Sequence, residues 1–442
     1  MRDFVIRGGC VITMDPGTGV LPEADVHVVD GRIREVAARV EVAPDVEVVD
    51  AGRCIVLPGF VDSHRHLWQT AIRGQLADCS LGDYFRRILV GMASSVTAEE
   101  VYTATLLGCY QLLDAGITGV VDWANVINTP DHADAGINAL LESGIRAVYA
   151  YGWPAGAEHL FHSTTPHPED ARRVAEQYFG GSDQLVTLGL GLRGPVSNPP
   201  EVLVSDWRLG RDLGARLNVH TGMRVPGVPS RDITVLAETG LMGPDTTYVH
   251  CTNCTDDEFR RIADTGGHVS VAAHSEMVMG HGHPPTARLV AAGLAPSLSA
   301  DIVASAPGDM FSQMRISLAQ ARISAYPDDP AEPFEPTVTA SDVLRFATTN
   351  GADALGRVGR VGMLRPGMDA DLVLIRTDRV NAMPNHDPIA TVVTQVDTSN
   401  VDSVWVRGRP VKRAGVLLDV DLGRLERLAA RLEESMRTKM IP

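Results

Sequence analysis

The sequence predicts an α/β protein: a closed, TIM-like (β/α)8 barrel with a small composite β-sandwich built from both termini. Three observations carry this. Eight apolar, strand-like segments alternate with helix-like segments through the middle of the chain, the pattern of a parallel sheet closed by crossovers. Both ends are rich in short strands and turns and lack such helices. Polar residues recur where the apolar segments end, and in a barrel the C-terminal strand ends share one mouth.

Taken in order, residues 1–57 read as the first part of the sandwich. Asp25-Val26-His27-Val28-Val29 and Arg32-Ile33-Arg34-Glu35-Val36 flank Asp30-Gly31, a hairpin signal. Residues 58–360 read as the barrel. Its opening strand is expected to run from Cys54-Ile55-Val56-Leu57 through Phe60 and Val61 to His64 and His66. Thr97-Ala98-Glu99-Glu100 is a capping box for a helix reaching about Ala115, followed by the strand 119–123. Helices near 131–143, 168–179, 200–214 and 233–238 precede strands at 146–150, 185–190, 216–220 and 247–250. Thr255-Asp256-Asp257-Glu258 caps a helix before strand 268–272, and a helix at 286–292 precedes 295–301. Residues 326–337, rich in proline and acids, read as a loop. Residues 361–418 return to the sandwich through strands at 371–375 and 404–411, and 419–442 read as a C-terminal helix.

Composition narrows the function. The chain is 442 residues long, 44% hydrophobic and 21% charged, as in soluble globular proteins. A formal net charge of −16 argues against nucleic acid and anionic membranes as partners. No apolar run reaches membrane-spanning length, and the first residues alternate like a strand rather than a signal peptide. Six cysteines do not form a disulfide framework. A cytoplasmic enzyme with a small-molecule substrate is the expectation, as a homo-oligomer taken to be a homodimer.

The strand ends carry a pattern. His64 and His66 alternate onto one strand face. His220 ends the fifth strand, His250 the sixth and Asp301 the eighth. Imidazoles and a carboxylate at one mouth suit one divalent metal, zinc first, with iron or manganese as alternatives. Such an ion brings the pKa of a bound water towards 7.

Pro58-Gly59-Phe60-Val61-Asp62-Ser63-His64-Arg65-His66 resembles the opening signature of the amidohydrolase superfamily. Leu67-Trp68-Gln69-Thr70, Arg73-Gly74 and Gly362 to Val373 are similar to its cytosine deaminase and triazine hydrolase branch. The resemblance covers essentially the whole chain. It implies a metal held by His64, His66, His220 and Asp301, with Asp301 also shuttling a proton. It implies that His250 polarises or orients the substrate, and that Trp68 and Gln69 lie on the substrate side. Deamination of a nitrogen heterocycle or amidine-like group is the activity it suggests. Other branches bridge two metals with a carboxylated lysine; lysine is absent between Lys412 and the N-terminus, so one metal is expected.

Two departures stand out. The branch usually carries a glutamate three residues after the fifth-strand histidine; Met223 stands there, and a thioether cannot relay a proton. Beyond strand seven, His274-Ser275-Glu276 replaces the usual Pro-Ser-Asn. Glu276 or His274, on a loop, is expected to replace the relay, or else the leaving group needs no proton. The lost glutamate also leaves open a lyase, cyclase or isomerase using the metal as a Lewis acid, and a non-catalytic binding homologue. Cys251-x-x-Cys254 lacks a second pair for a zinc site. His167-Pro168-Glu169 reads as a helix start, and Met277 to His283 as a Gly-rich loop. Trp68, Tyr84, Phe85, Trp123 and Trp153 are candidates for an aromatic wall.

Overall fold

The computed structural model describes residues 3–160, 163–181, 183–195, 198–223, 230–327, 329 and 331–440. Eight parallel strands follow one another in sequence order: Phe60–Arg65, Ile117–Ala124, Arg146–Tyr151, Val186–Leu192, Arg216–Thr221, Thr246–His250, His268–Val271 and Ser297–Leu298. The ring closes between the last and first strands through Asp301: its N–H donates to the His64 carbonyl (3.1 Å), and the His66 N–H donates to its carbonyl (3.0 Å). The eighth strand is shorter than the 295–301 expected, and Asp301, with a φ of 60°, lies beyond it outside the extended conformation.

A second, nine-stranded mixed sheet joins the two ends of the chain. Phe4–Ile12 pairs with Val20–Val29 on one side and with Glu47–Asp50 and Cys54–Pro58 on the other. Cys54–Pro58 runs antiparallel to Leu372–Arg376, which leads on to Val401–Val406, Arg409–Arg413 and Val416–Leu417. The expected hairpin at Asp30-Gly31 is present, with φ of 49° and 75° at its two turn residues.

The single opening strand expected from Cys54 to His66 is two strands in two sheets. Pro58 and Gly59 break it. A Cβ on Gly59 would lie 2.0 Å from Thr118 Oγ1, so only glycine lets the chain cross here from the mixed sheet into the barrel. Both capping boxes hold: Thr97 caps Ala98–Asp114 and Thr255 caps Asp256–Asp264. The last helix, Leu422–Lys439, lies against Ala98–Asp114, with Lys439 Nζ 2.7 and 2.6 Å from the Glu100 carboxylate oxygens. Leu81 to Met92 is a further helical segment, capped by Ser80, whose Leu81, Tyr84, Ile88, Leu89 and Met92 are buried at helical spacing. Among the described residues no helix is long and apolar enough to cross a membrane.

Candidate active site

His64, His66, His220, His250 and Asp301 meet at the C-terminal mouth of the barrel. His64 Nε2 lies 3.4 Å and His66 Nε2 3.6 Å from Asp301 Oδ1, and His64 Nε2 lies 3.2 Å from His220 Nε2. Donors about 2.0–2.2 Å from one tetrahedral zinc ion are about 3.3–3.6 Å apart, so His64, His66 and Asp301 sit at spacings that suit such an ion, and His220 adjoins them through His64.

Their protonation suits the same role. His66 Nδ1–H donates to the Trp123 carbonyl (3.0 Å) and Asn125 Oδ1 (3.1 Å), which turns the Nε2 lone pair to the cluster. Burial, helped by the neighbouring His64, lowers the His66 pKa to about 3. Burial likewise lowers His64 and His220. Burial works against the Asp301 charge, yet the surrounding imidazoles hold its carboxyl well below the usual range. Neutral imidazoles and an ionised carboxylate are the forms that bind a metal. Asp301 Oδ2 accepts from Ser275 Oγ at 2.6 Å.

The strand carrying this cluster is anchored from behind. Arg65, fully buried, donates from Nη1 to Asp62 Oδ2 and the Gly308 carbonyl (3.1 Å each). Asp62 Oδ1 in turn accepts from Ala300 N–H at 3.2 Å, tying the first strand to the segment that bears Asp301. Positive φ at His250 (74°), Cys251 (53°) and Asp301 (60°) marks local backbone strain at the same mouth.

The cluster opens on a cavity at the barrel mouth. Tyr84, Phe85, Leu89 and Trp153 form an apolar wall facing His66, His220, His250 and Asp301. Of the expected aromatic wall, Trp68 and Trp123 do not line it. Trp68 is buried behind it and donates from Nε1 to Asn125 Oδ1 (2.7 Å), while Gln69 Nε2 donates to the Tyr84 hydroxyl (2.6 Å). Both therefore support lining residues and do not face the cavity themselves. Trp123 packs against His220, with ring centroids 4.0 Å apart.

Met223 does line the cavity. The expected substitutes for the missing glutamate do not. His274, Ser275 and Glu276 lie on a helix, Ala273–Met279, not on a loop. The helix turns Glu276 behind His250: Oε1 is 3.1 Å from His250 Nδ1 and accepts from Ala272 N–H at 2.8 Å. Burial opposes charge on His250, but Glu276 and Asp301 outweigh it and raise its pKa. His274 is only half-buried and does not line the cavity.

Several lining residues were missed, the titratable His281 and Asp232 among them. His281 faces His250, ring centroids 4.7 Å apart, and neither ring nitrogen has a hydrogen-bond partner among the described residues. Burial lowers its pKa to about 3. It groups with His250 and Asp301, and His250 groups with His64 and His220, as further sets of close donors. The His281-Gly282-His283 spacing was its only signal. Asp232 lines the cavity from the start of helix Asp232–Glu238.

Comparison with known proteins gives the family and the fold. A match to the amidohydrolase family spans residues 55–411. A 5-methylthioadenosine/S-adenosylhomocysteine deaminase of Symbiobacterium thermophilum is 30% identical over 93% of this chain and 94% of its own length. A 5'-deoxyadenosine deaminase of Methanosarcina barkeri is 27% identical over 100% of both chains. Among solved structures, a zinc-bound adenosine deaminase from Xanthomonas campestris superposes with a TM-score of 0.86 at 24% identity, over 99% of each chain. A zinc-complexed atrazine chlorohydrolase from Arthrobacter aurescens gives 0.82 at 22% identity, over 97% of this chain and 100% of that one. The last two likenesses speak to the fold.

Proposed function

The chain belongs to the amidohydrolase family, and we propose that, as a metal-dependent deaminase acting on carbon–nitrogen bonds, it removes the exocyclic amine of an aminopurine nucleoside. The observation that carries this reading is the close packing of His64, His66, His220 and Asp301 beneath an aromatic-walled cavity. The deaminases of adenosine analogues that align along its length support the substrate class.

His64, His66, His220 and Asp301 would hold one zinc ion. When bound, the ion supplies the Lewis acidity that makes water nucleophilic near neutral pH. The chain's own residues do the rest. His66 is fixed in one tautomer by Trp123 and Asn125. Asp301, next to the cluster, takes the proton released by the attacking water. His250, held through Nδ1 by Glu276, presents Nε2 to a ring nitrogen of the substrate and orients the heterocycle. Tyr84, Phe85 and Trp153 offer flat apolar surface to the purine and exclude water around it. His281, with both nitrogens uncommitted, is suited to a polar contact with the ligand. A homo-oligomer is part of the proposal, read by sedimentation, and so is a cytoplasmic setting.

The test is ammonia release from adenosine, 5'-deoxyadenosine and 5'-methylthioadenosine, with metal analysis alongside. One zinc per chain and chelator-sensitive ammonia release are expected; no ammonia from any adenosine analogue would refute the substrate class. Met223 at the cavity wall favours one second reading, a non-hydrolytic lyase, cyclase or isomerase. Oxygen-18 from labelled water in the product excludes it.

A further inference from the structure

Deamination requires a proton on the departing nitrogen, and Met223 cannot give one. The donor must face the cavity with a protic group not already committed. His250 is engaged by Glu276, and Asp301 belongs to the metal cluster. Glu276 and His274 do not reach the cavity, and His281, which does, has its pKa lowered to about 3 by burial and stands as a neutral imidazole, a poor acid.

Asp232 does. Its Oδ2 accepts from the Gly222 N–H at 2.8 Å, so its carboxyl is fastened to the turn that follows His220 and carries Met223. The residue is 5% exposed and lines the same cavity as Met223 and His220. Oδ1 makes no hydrogen bond among the described residues. Burial pushes its carboxyl up to about 6 against the Gly222 hydrogen bond, with the Glu258 charge adding to the rise. A carboxyl so placed has an appreciable acid fraction near neutral pH.

We propose that Asp232 is the general acid that protonates the leaving amine, supplied from the helix after the fifth strand in place of the residue lost at Met223. This rests on the deaminase reading above. As the C–N bond breaks, its electron pair stays on nitrogen, which takes the Asp232 proton and departs as ammonia. The proton that Asp301 takes from the attacking water passes to the ring nitrogen; the second proton of that water re-protonates Asp232, and its oxygen becomes the ring carbonyl.

A general acid matters in proportion to the basicity of the leaving group, and chloride needs no proton. The experiment compares adenosine with 6-chloropurine riboside in the wild-type enzyme and in Asp232→Asn, which keeps an oxygen for the Gly222 N–H. The amine-to-chloride ratio of kcat/KM should fall by about 10²–10⁴-fold, with zinc content and Tm retained. Adding Met223→Glu to Asp232→Asn should restore much of that ratio. A ratio within about threefold of wild type, whether both rates fall or neither does, overturns the assignment while leaving the deaminase reading intact. A wild-type enzyme that releases chloride but no ammonia overturns it too. Turnover of none of the adenosine analogues, 5'-deoxyadenosine and 5'-methylthioadenosine included, overturns the substrate class, and the assignment with it.

Discussion

Two buried polar clusters, one at each end of the barrel, are satisfied in opposite ways. At the base, Arg146 opens the third strand and is fully engaged by the returning C-terminal segment. Its Nε donates to Asp371 Oδ2 (2.8 Å), and its Nη2 donates to Asp371 Oδ1 (2.9 Å) and Asp369 Oδ2 (3.0 Å). Asp371 Oδ1 also accepts from Arg407 N–H, and Asp369 from Arg360. At the mouth, buried atoms lack hydrogen-bond partners among the described residues: His64 Nδ1, Glu276 Oε2 and both nitrogens of His281. The base spends its charges on holding the barrel to the mixed sheet. The mouth keeps uncommitted valence for something that is not protein. In barrels, that division separates stability from chemistry.

Breaking the mouth should give the largest effect. The double variant His64→Ala/His66→Ala removes two of four proposed ligands, and both metal binding and ammonia release should drop to the level of chelated enzyme. Inductively coupled plasma mass spectrometry reads the metal; full zinc occupancy in the variant would show that the cluster is not the site. The fold should survive, because the Arg65–Asp62 anchor beneath it is untouched.

Breaking the base should do the reverse. Arg146→Ala leaves Asp369 and Asp371 buried with fewer partners, and removing one member of a buried ion pair costs about 3–5 kcal/mol. Arg360 and the Arg407 N–H remain, which points to the lower end. Chemical denaturation should show that loss, while kcat per folded molecule stays within a few-fold. A collapse of kcat at unchanged stability would erase the distinction between the two ends.

Glu276→Gln sharpens the comparison, since Glu276 lies just behind the mouth. Acting through His250, it should lower kcat about 10–100-fold, as second-layer partners of site residues do, and leave zinc content unchanged. An effect confined to stability would make it a core residue instead.

These contrasts also explain what was legible beforehand. His64, His66, His220, His250 and Asp301 were found because each is a polar residue ending an apolar strand, a local signal that the barrel converts into proximity. Glu276 was misplaced because three helical residues decide whether it faces the cavity or the back of His250, and helix Ala273–Met279 left only a weak pattern. Asp232 reads as an ordinary acidic residue at a helix start; its approach to Gly222 depends on the path of the chain after the fifth strand. The opening strand was fused across Pro58-Gly59 because both halves are apolar, and which sheet each joins is a tertiary choice. The Leu81–Met92 segment had a readable apolar spacing and went unread.

The smallest effect tests whether the mouth costs stability. Asp122, near the end of the second strand, is buried, and its Oδ1 accepts from the Leu67 N–H at 3.0 Å. Burial raises its pKa from 3.8 to about 7, against that hydrogen bond and the nearby Arg65 charge. The folded chain therefore keeps this proton over a window in which the unfolded chain has released it. Stability is a falling function of pH wherever the folded state binds more protons, so this group destabilises progressively from about pH 4 to about pH 7. One such group contributes a slope of at most about 1.4 kcal/mol per pH unit. Asp122→Asn keeps an acceptor for the Leu67 N–H and cannot ionise, so its denaturation free energy should change less with pH than the wild type's, the two converging near pH 4 and the variant gaining towards pH 7. Parallel curves would mean that Asp122 is compensated in the folded state as fully as the carboxylates at the base, and that the mouth carries no such cost at this position.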